Sequence, residues 1–266
     1  MKRNIVVLGS EGMLGQMVKK YFTAKGHELT CFDERFNYPG RSSFTSFLKS
    51  LRNDVLINCI GKIRQKTSDL DELEEVNAIF PLELRNSLHE EVVLVHPSTD
   101  CVFNGEAGTP YPADHEANAN DEYGWTKRLG EVALTGRPNT LIPRVSIIGP
   151  DENAKGRGLL AWVMSNKPGS EIQGFTNHLW NGITTLEWCK QVATFIDLRS
   201  SFAFQLIQLG TREHYSKYDM LLLFNRVYDL QLKIVPKAPD PAVDRRLVPD
   251  IVCKPLAEQL EELRSY

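Results

Sequence analysis

Residues 3–15 read RNIVVLGSEGMLG, an apolar run followed by three glycines spaced three residues apart. The run is short and rich in β-branched residues, which predicts a buried strand, and the following MLGQMVKKYFTAKG has the apolar spacing and the final glycine of a helix. Glycines between a strand and a helix let the backbone approach a pyrophosphate, to which the helix N-terminus offers unpaired N–H groups. Although the spacing is GxxGxxG rather than GxGxxG, this position predicts a dinucleotide-binding turn. The residues expected to contact the cofactor here are Gly9, Gly12, Met13, Leu14 and Gly15.

Strand-like and helix-like segments alternate along the following part of the chain. The predicted strands are HELTCF, NDVLINCIG, EEVVLVHPS and NTLIPRVSIIG, and most are continuously apolar. Predicted helices cover about residues 68–87 and the segment NDEYGWTKRLGEVAL. Apolar strands that alternate with helices predict an α/β fold, in which a doubly wound parallel sheet is covered on both faces. Gly61 follows the third strand and is therefore also expected near the cofactor.

The composition narrows the class of protein. The chain of 266 residues is 42% hydrophobic and 24% charged, as expected for a globular protein of one large or two coupled domains. A formal net charge of −3 argues against nucleic acid as a partner. The apolar runs are too short for a membrane span or a signal peptide, so we expect a cytoplasmic location without membrane attachment. Five dispersed cysteines, without a CxxC or HExxH motif, predict neither disulfides nor a metal site.

The end of the second strand bears on the choice of cofactor. Asp33 lies there, and an acid at this position can accept hydrogen bonds from a ribose 2′-OH, which favours NAD(H). Arg35 lies two residues further on and could instead meet a 2′-phosphate, which favours NADP(H). Both could also be polar loop residues. The sequence therefore leaves NADPH and NADH as alternatives.

Tyr123 and Lys127 lie four residues apart in a helical segment and so share one face. A cation about 4 Å from a phenol favours the phenolate by up to ~4 kcal/mol at an effective dielectric constant of ~20. We therefore expect Lys127 to lower the Tyr123 pKa toward the range in which a general acid works. Tyr21 and Lys25 have the same spacing, but on the first helix the tyrosine is interpreted as packing. The second pair follows the fourth strand, so it can face Thr99 across the carboxyl ends of the strands.

Four segments, GSEGMLG, STDCVFNG, YGWTKRLGE and PRVSIIG, occur in this order and resemble the extended short-chain dehydrogenase/reductases. More narrowly, they resemble the dTDP-4-dehydrorhamnose reductase family. The resemblance covers about residues 1–150 and continues loosely through GFTNHLWNGITTLEWCKQVA and DRRL. It implies a Rossmann domain over residues 1–144 and a mainly substrate-binding part over 145–266. Elements at about 183–210 are expected to return to the sheet.

The resemblance also implies a catalytic set of Thr99, Tyr123 and Lys127. Thr99 would polarise the substrate carbonyl, Tyr123 would protonate the forming alkoxide, and Lys127 would bind the nicotinamide ribose. Cys101 stands where nucleotide-sugar dehydratases carry a catalytic Glu, which argues against a dehydratase. We interpret its thiol as a packing group. The substrate contacts expected in this region are Thr99, Asp100, Cys101 and Tyr123.

Three more substrate contacts are predicted in the second half of the chain. Asn177 and Trp180 lie in GFTNHLWNGITT, where the amide could bond sugar hydroxyls and the indole could stack on the ligand. The alternative is a tryptophan that anchors this loop to the core. Arg246 could clamp a pyrophosphate, as could its neighbour Arg245, although solvated arginines would give the same pattern.

The resulting prediction is an NAD(P)H-dependent reductase of a nucleotide-linked 4-keto-6-deoxy sugar. As the resemblance implies, it would act at C4 in deoxysugar and polysaccharide biosynthesis. Two alternatives stay open: a nucleotide-sugar epimerase with tightly bound NAD, and a non-catalytic relative that binds a partner enzyme. A homodimer is a candidate assembly. The sequence names neither the nucleotide nor the sugar.

Overall fold

A computed structural model of the protein describes residues 4–33, 41–64, 67, 69–151, 158–197 and 201–266. Within these ranges the strands are β1 (Ile5–Leu8), β2 (Leu29–Phe32), β3 (Val55–Asn58), β4 (Val93–Val95), β5 (Thr140–Arg144), β6 (Ile147–Ile148), β7 (Glu171–Phe175), β8 (His178–Trp180), β9 (Ile183–Thr184), β10 (Gln205–Thr211), β11 (Tyr215–Ser216), β12 (Lys233–Lys237), β13 (Val243–Asp244) and β14 (Ile251–Cys253). The α-helices are α1 (Met13–Ala24), α2 (Arg41–Ser50), α3 (Leu70–Glu74), α4 (Phe80–Ser87), α5 (Glu122–Leu134), α6 (Leu159–Met164), α7 (Thr185–Asp197), α8 (Lys217–Val227) and α9 (Leu256–Ser265).

The main sheet has seven strands in the order β14-β10-β5-β4-β3-β1-β2. Every neighbouring pair in it is parallel. The chain passes from β1 to β2 on one side and then returns to β3 on the other side of β1. Connections leave in opposite directions at this point, which opens a crevice beyond the carboxyl ends of the strands. The predicted doubly wound parallel sheet is confirmed.

Both faces of the sheet are covered, which explains why its strands are apolar throughout. In β1, Ile5 and Val7 contribute to a core shared with α1, α7, α8 and α9. Val6 and Leu8 contribute to the opposite core, together with α2 and α4. All four side chains are at most 2% exposed. Because β1 is held from both sides, the turn that follows it leaves a fixed strand end.

Residues beyond β5 contribute to the main sheet and to three smaller ones. β10 pairs with β5, and β14 pairs with β10, so two strands from the second half complete the main sheet. Elsewhere β7 pairs with β12, β8 lies between β11 and β13, and β6 pairs with β9. The domain boundary at residue 144 stays a prediction.

Across the described ranges, no helix combines the length and apolar character needed to cross a bilayer. In the same part of the chain, His, Cys, Asp and Glu side chains form no group of three or more that could hold a metal ion.

Candidate active site

A cleft of about 740 Å³ lies at the carboxyl ends of the parallel strands. It is lined by the glycine turn after β1 and by the segments that follow β3, β4 and β5. Tyr123 and Lys127 of α5 also line the cleft, as does Arg245 from the second half of the chain. Open α/β sheets bind their ligands at this position. The cleft is therefore the candidate active site.

Two of the three glycines in the turn are required by close contacts. Gly9 has a φ of +73°, and a Cβ there would lie 2.9 Å from Cγ1 of Ile60. A Cβ on Gly15 would lie 2.1 Å from the carbonyl oxygen of Gly9, so this glycine lets α1 pack against the turn. Gly12 differs, because the nearest atom to its added Cβ would be 3.7 Å away. Gly12 therefore leaves space beside the cleft at the start of α1.

The start of α1 fits a pyrophosphate. Gly12 is the N-cap residue and supplies no side-chain cap, and no acid lies in the first turn. The first N–H groups of the helix can therefore bind an anion, which the helix dipole also favours. Met13 and Leu14 line the cleft beside Gly12, and Gly61 lines it from the segment after β3. These residues fit a dinucleotide whose phosphates lie at this helix.

Asp33, directly after β2, is bound to the glycine turn. Its Oδ1 accepts a hydrogen bond from the Ser10 N–H at 2.5 Å, and its Oδ2 accepts one from Ser10 Oγ at 2.7 Å. These two bonds fix an exposed carboxylate beside the turn. In dinucleotide-binding folds an acid at this position lies near the adenosine ribose. Arg35 lies outside the described residues.

Thr99 lies after β4, immediately before a 3₁₀ turn over Asp100–Val102. Its Oγ1 accepts a hydrogen bond from the Cys101 N–H at 3.1 Å and donates one to Oδ1 of Asp100 at 3.0 Å. Thr99 and Asp100 are buried polar residues that line the cleft. The hydroxyl is thus fixed at the cleft wall, with one proton that it can donate.

Tyr123 lies in the first turn of α5 and lines the cleft together with Thr99. Burial raises the pKa of Tyr123 well above its ordinary value, Cys101 adds to the increase, and the Thr99 side chain opposes it. The prediction that this pKa is lowered is therefore wrong, because loss of solvation dominates and the nearby acidic groups act in the same direction. The phenol is therefore protonated at neutral pH, so a proton is present at the cleft wall.

Lys127 lies one turn further along α5 and is buried. Its Nζ donates a hydrogen bond to the carbonyl oxygen of Pro97 at 2.7 Å, which links α5 to the exit of β4. Burial lowers the pKa of Lys127 to about 8, and the carboxylate of Glu131 opposes this decrease. The lysine therefore changes charge close to neutral pH, unlike an ordinary solvated lysine.

Close backbone contacts fix α5 against the cleft. Asp121 caps the helix, since its Oδ1 accepts a hydrogen bond from the Gly124 N–H at 2.8 Å. A Cβ on Gly124 would lie 1.9 Å from the carbonyl oxygen of Cys101. A Cβ on Gly130 would lie 2.3 Å from the carbonyl oxygen of Asn77. Both glycines let the helix approach neighbouring backbone more closely than any side chain allows.

Asn77 joins α5 to the segment after β3. It lies in a π-helix over Glu75–Ile79, which interrupts the helix predicted for about 68–87. Its Oδ1 accepts a hydrogen bond from the Lys62 N–H, and its Nδ2 donates one to the Lys62 carbonyl oxygen, both at 2.9 Å. Its Nδ2 also donates to Thr126 Oγ1 at 3.2 Å. Asn77 therefore supports the cleft wall that carries Gly61.

Cys101 and Arg245 are in contact in the cleft. Arg245 Nη1 lies 3.5 Å from Cys101 Sγ, and Arg245 Nη2 lies 3.4 Å from Oδ2 of Asp121. Burial raises the pKa of Cys101 to about 12, so the thiol is not a nucleophile at neutral pH. Burial also lowers the pKa of Lys217, whereas Asp100 and Cys101 raise it.

Three predicted substrate contacts lie away from the cleft. Asn177 donates a hydrogen bond from Nδ2 to a backbone carbonyl at 2.6 Å, and Trp180 is buried in the core. Arg246 binds Asp244 through two side-chain hydrogen bonds of 2.8 and 2.6 Å. Among the described residues that line the cleft, none is one of these three. The arginine that reaches it is Arg245, since adjacent residues in an extended segment point to opposite sides.

The parallel sheet, the glycine turn and the Tyr-Lys helix together define a short-chain dehydrogenase/reductase of the extended type. The sequence model of the RmlD substrate binding domain matches residues 2–166, which is more than half of the chain. The protein belongs to this family. The resemblance to the dTDP-4-dehydrorhamnose reductases is thus confirmed at the level of the family.

Curated relatives align with about half of the chain. It is 31% identical over 147 residues to a probable dTDP-4,6-dihydroxy-2-methyloxan-3-one 4-ketoreductase of Streptomyces antibioticus, an alignment that covers 53% of this chain and 50% of the relative. It is 30% identical over 152 residues to a dTDP-4-dehydrorhamnose reductase of Mycolicibacterium smegmatis, with 55% and 46% covered. The chain spans about half the length of the curated relatives it matches.

Solved structures resemble the whole chain. A dTDP-4-dehydrorhamnose reductase of Clostridium acetobutylicum superposes with a TM-score of 0.81 at 23% identity and covers 98% of both chains. A dTDP-4-dehydrorhamnose reductase of Bacillus anthracis, in complex with NADP, has a TM-score of 0.84 at 17% identity, and the superposition covers 100% of this chain and 99% of the other. A UDP-glucose 4-epimerase of Thermotoga maritima has a TM-score of 0.78 at 14% identity, with 99% of this chain and 98% of the other covered. These likenesses establish the fold, which reductases and epimerases share.

Proposed function

We propose that the protein is an NAD(P)H-dependent reductase that converts the C4 ketone of a nucleotide-linked 4-keto-6-deoxy sugar to an alcohol in deoxysugar or polysaccharide biosynthesis. One observation carries the proposal: Thr99, Tyr123 and Lys127 line the same cleft as the glycine turn. A ketone reductase needs a proton donor and a dinucleotide-binding turn in one cleft. The names of the curated relatives support the class of sugar.

The side chains account for the chemistry at the carbonyl oxygen. A nicotinamide bound in the cleft supplies the hydride that forms the new C–H bond. Thr99 rotates its hydroxyl from Asp100 to the carbonyl oxygen and stabilises the negative charge that develops there. Tyr123 transfers its phenolic proton to this oxygen, which completes the alcohol. Its raised pKa ensures that the proton is present before the transfer.

Lys127 supports this step from the next turn of the helix. An ammonium group has three N–H donors, and the bond to Pro97 uses one of them. The other two can bind the ribose hydroxyls of the cofactor. The positive charge also stabilises the phenolate that Tyr123 becomes after it has given up its proton. A proton from solvent then restores the phenol.

The proposed cofactor is NADPH or NADH. Asp33 is held beside the turn by Ser10, and its negative charge favours a ribose 2′-OH over a 2′-phosphate. The related reductase of Bacillus anthracis was solved with NADP. Titration of the purified protein with both reduced dinucleotides, followed by nicotinamide fluorescence, measures the preference.

Turnover tests the reductase proposal. The purified protein is incubated with NADPH or NADH and a panel of dTDP-, UDP- and GDP-linked 4-keto-6-deoxyhexoses, and cofactor oxidation is compared with product formation by NMR. We expect one cofactor oxidised for each alcohol formed. Cofactor that co-purifies and is not consumed while a sugar is epimerised identifies an epimerase. Folded protein that binds dinucleotide but oxidises none with any of these sugars contradicts the proposal.

We also propose a homodimer that forms through the outer surface of α4 and α5. Ile79, directly before α4, Leu82 on α4, and Trp125 and Val132 on α5 are each about half exposed, and the two helices pack side by side. Exposed apolar side chains on neighbouring helices support an interaction surface there. Sedimentation should show a dimer that Trp125→Lys dissociates. Val252→Lys, at an exposed position on β14, should leave it intact.

A cytoplasmic location is part of the proposal. All five cysteines are unpaired, which suits a reducing compartment. The proposed reaction also consumes a reduced dinucleotide. Fractionation of cells that express the chain should recover it with cytoplasmic markers, and recovery with the membrane or secreted fraction contradicts this location.

A further inference from the structure

Glu131 is a fully buried carboxylate that accepts four hydrogen bonds. Oε1 receives Ser98 Oγ at 2.5 Å and Arg144 Nε at 2.7 Å. Oε2 receives Arg144 Nη2 at 2.8 Å and Arg128 Nη1 at 2.9 Å. The Glu131 side chain is 0% exposed. Every lone-pair direction of the carboxylate therefore has a donor, which fixes its position.

The position of Glu131 on α5 relates it to the proposed catalytic residues. It follows Lys127 by one helical turn and Tyr123 by two, so the three side chains share a face. Ser98, which donates to Glu131, directly precedes Thr99. The bond from Lys127 to Pro97 and the bond from Ser98 to Glu131 thus attach α5 to consecutive residues at the exit of β4.

A buried ion pair of this kind is not explained by stability alone. Burial of Glu131 and Arg144 costs several kcal/mol per ion, and apolar residues of similar volume commonly stabilise a core as well or better. The pair lies where β5 ends, and Arg144 also donates from Nη1 to the carbonyl oxygen of Ala113 at 3.0 Å. It therefore ties together the chain segments that surround Thr99.

We propose that Glu131 is a positioning residue for the reduction, which sets Thr99 relative to Tyr123 and Lys127 and keeps the lysine in its ammonium form. This inference rests on the proposed function. It has two separable parts. The first is the distance from Thr99 to Tyr123 and Lys127, which the bond between Ser98 and Glu131 sets. The second is the negative charge of Glu131, which stabilises the ammonium form of Lys127 one helical turn away.

The charged and titratable groups around Lys127 support the second part. Burial of His96 on β4 lowers its pKa well below the ordinary value, so this imidazole is neutral. Tyr123 is a protonated phenol. Arg144, at the end of β5, and Arg128, which follows Lys127 on α5, are both paired with Glu131 and cannot favour another cation. The Glu131 carboxylate is therefore the group that opposes the effect of burial on Lys127.

The charge is tested by direct titration of Lys127. Protein labelled with ¹³C at lysine Cε is titrated by NMR, and the Lys127 signal is identified by its loss in Lys127→Arg. In Glu131→Gln we expect the midpoint of this signal to fall by about one pH unit. Glu131→Asp keeps the charge and should titrate like the wild type. Glu187→Gln removes a buried carboxylate on α7 and is the matched control, with no expected shift.

The distance is tested by kinetics in variants that keep all charges. Ser98→Ala and Glu131→Asp should lower kcat about tenfold, while the KM for NAD(P)H and the Lys127 titration stay unchanged. If Glu131→Gln does not fold, these two variants still test the distance. Each variant is first checked for a cooperative unfolding transition.

Two results would overturn the inference. If Lys127 titrates at the same pH in Glu131→Gln and in the wild type, the proposed effect of the Glu131 charge is refuted. If kcat is unchanged in Ser98→Ala and Glu131→Asp, the proposed role of Glu131 in positioning Thr99 is refuted. The NMR titration needs no substrate. Failure of the reductase proposal, seen as wild-type protein without turnover, is therefore distinguished from failure of the Glu131 inference.

Discussion

Gly124 and Cys101 lie in direct backbone contact: a Cβ on the glycine would come within 1.9 Å of the Cys101 carbonyl oxygen. This contact joins the helix that carries Tyr123 to the turn that carries Thr99. No side chain fits between them, so the separation of the proton donor and the carbonyl-binding hydroxyl depends on the absence of one methyl group.

Gly124→Ala is therefore expected to push α5 away from the turn. We predict a loss of about 1–3 kcal/mol in the free energy of unfolding, as for other overpacked sites, together with reduced kcat. Urea unfolding and steady-state kinetics measure the two effects. The control is Glu122→Ala, also on α5, which removes an exposed ion pair with Arg64. It should change the free energy of unfolding by less than about 1 kcal/mol. Equal effects of both substitutions would contradict the close-contact explanation.

The glycines of the turn should separate into two classes. Gly15→Ala places a Cβ against the Gly9 carbonyl oxygen and should destabilise the protein by more than about 1 kcal/mol. Gly12→Ala meets no such contact and should change stability by about 1 kcal/mol or less, the cost of a poorer N-cap. Its methyl group should nevertheless weaken dinucleotide binding, because it occupies the space where the phosphates are expected. Thermal unfolding and fluorescence titration test the pair, and unweakened binding in Gly12→Ala would refute this position for the phosphates.

Removal of the proposed proton donor should abolish most of the turnover. We expect Tyr123→Phe to lower kcat by about 10²–10⁴-fold and to leave dinucleotide affinity nearly unchanged, because the phenyl ring keeps the packing. Tyr21→Phe, in the second YxxxK sequence, should retain activity since Tyr21 is a core residue. An active Tyr123→Phe protein would support a non-catalytic or differently catalysed function.

Two neighbouring residues after β4 should differ in their sensitivity to substitution. Thr99→Val removes the hydroxyl proposed to stabilise the developing oxyanion and should lower kcat by about 10²–10³-fold. Cys101→Ser should stay close to wild-type activity, and the native thiol should resist alkylation at neutral pH because burial raises its pKa to about 12. Kinetics and mass spectrometry after iodoacetamide treatment measure both. The reverse ranking would mean that the thiol takes part in the reaction.

Lys127 should weaken the fold at neutral pH. Its pKa is lowered from 10.5 to about 8, which corresponds to a cost of about 3 kcal/mol at pH 7. Because the native lysine binds fewer protons than the unfolded one between these values, wild-type stability should rise with pH from about 8 to 10.5. Lys127→Met loses the bond to Pro97, worth about 1 kcal/mol, yet should be about 1–2 kcal/mol more stable at pH 7 and inactive. Urea unfolding should show this advantage shrinking by pH 10, and a constant difference would contradict the lowered pKa.

The carboxylate beside the turn should influence the choice between the two dinucleotides. Asp33→Ser removes a negative charge and one acceptor, so affinity should shift from NADH toward NADPH by about tenfold or more. The ratio of the two dissociation constants measures this shift. Asp54→Ser is the control and should leave the ratio unchanged. The Asp54 carboxylate lies away from the cleft, where it accepts hydrogen bonds from Asn4 and from the Arg52 N–H. An unchanged ratio in Asp33→Ser would mean that this side chain only braces Ser10.

The sequence was informative wherever local pattern decides structure. The apolar β1 and the glycine turn both depend on neighbouring residues, and both are present as predicted. The π-helix was not predicted, although Pro81 signals it: a proline has no N–H to bond the carbonyl of Asn77, four residues earlier. The π-helix packs closely against α5 because Gly130 lacks a side chain.

Features set by long-range packing could not be read from the sequence. The pKa of Tyr123 moves in the direction opposite to the one predicted, because burial depends on how separate segments close over the phenol. The sequence predicts that Asn177 and Trp180 lie in a loop that lines the ligand, but the surrounding residues form β7 and β8, whose pairing partners lie about 35 to 65 residues away in the chain. Which of two adjacent arginines reaches the cleft is likewise decided by the pairing of β13.

A single core joins the two halves of the chain. Ile5 and Val7 of β1 belong to the same apolar cluster as Leu223 of α8 and Leu260 of α9. Substitutions in the second half of the chain would therefore change the same folding free energy that holds the glycine turn in place. Lineages that acquire a new substrate should carry compensating substitutions throughout this core, far from the substrate itself.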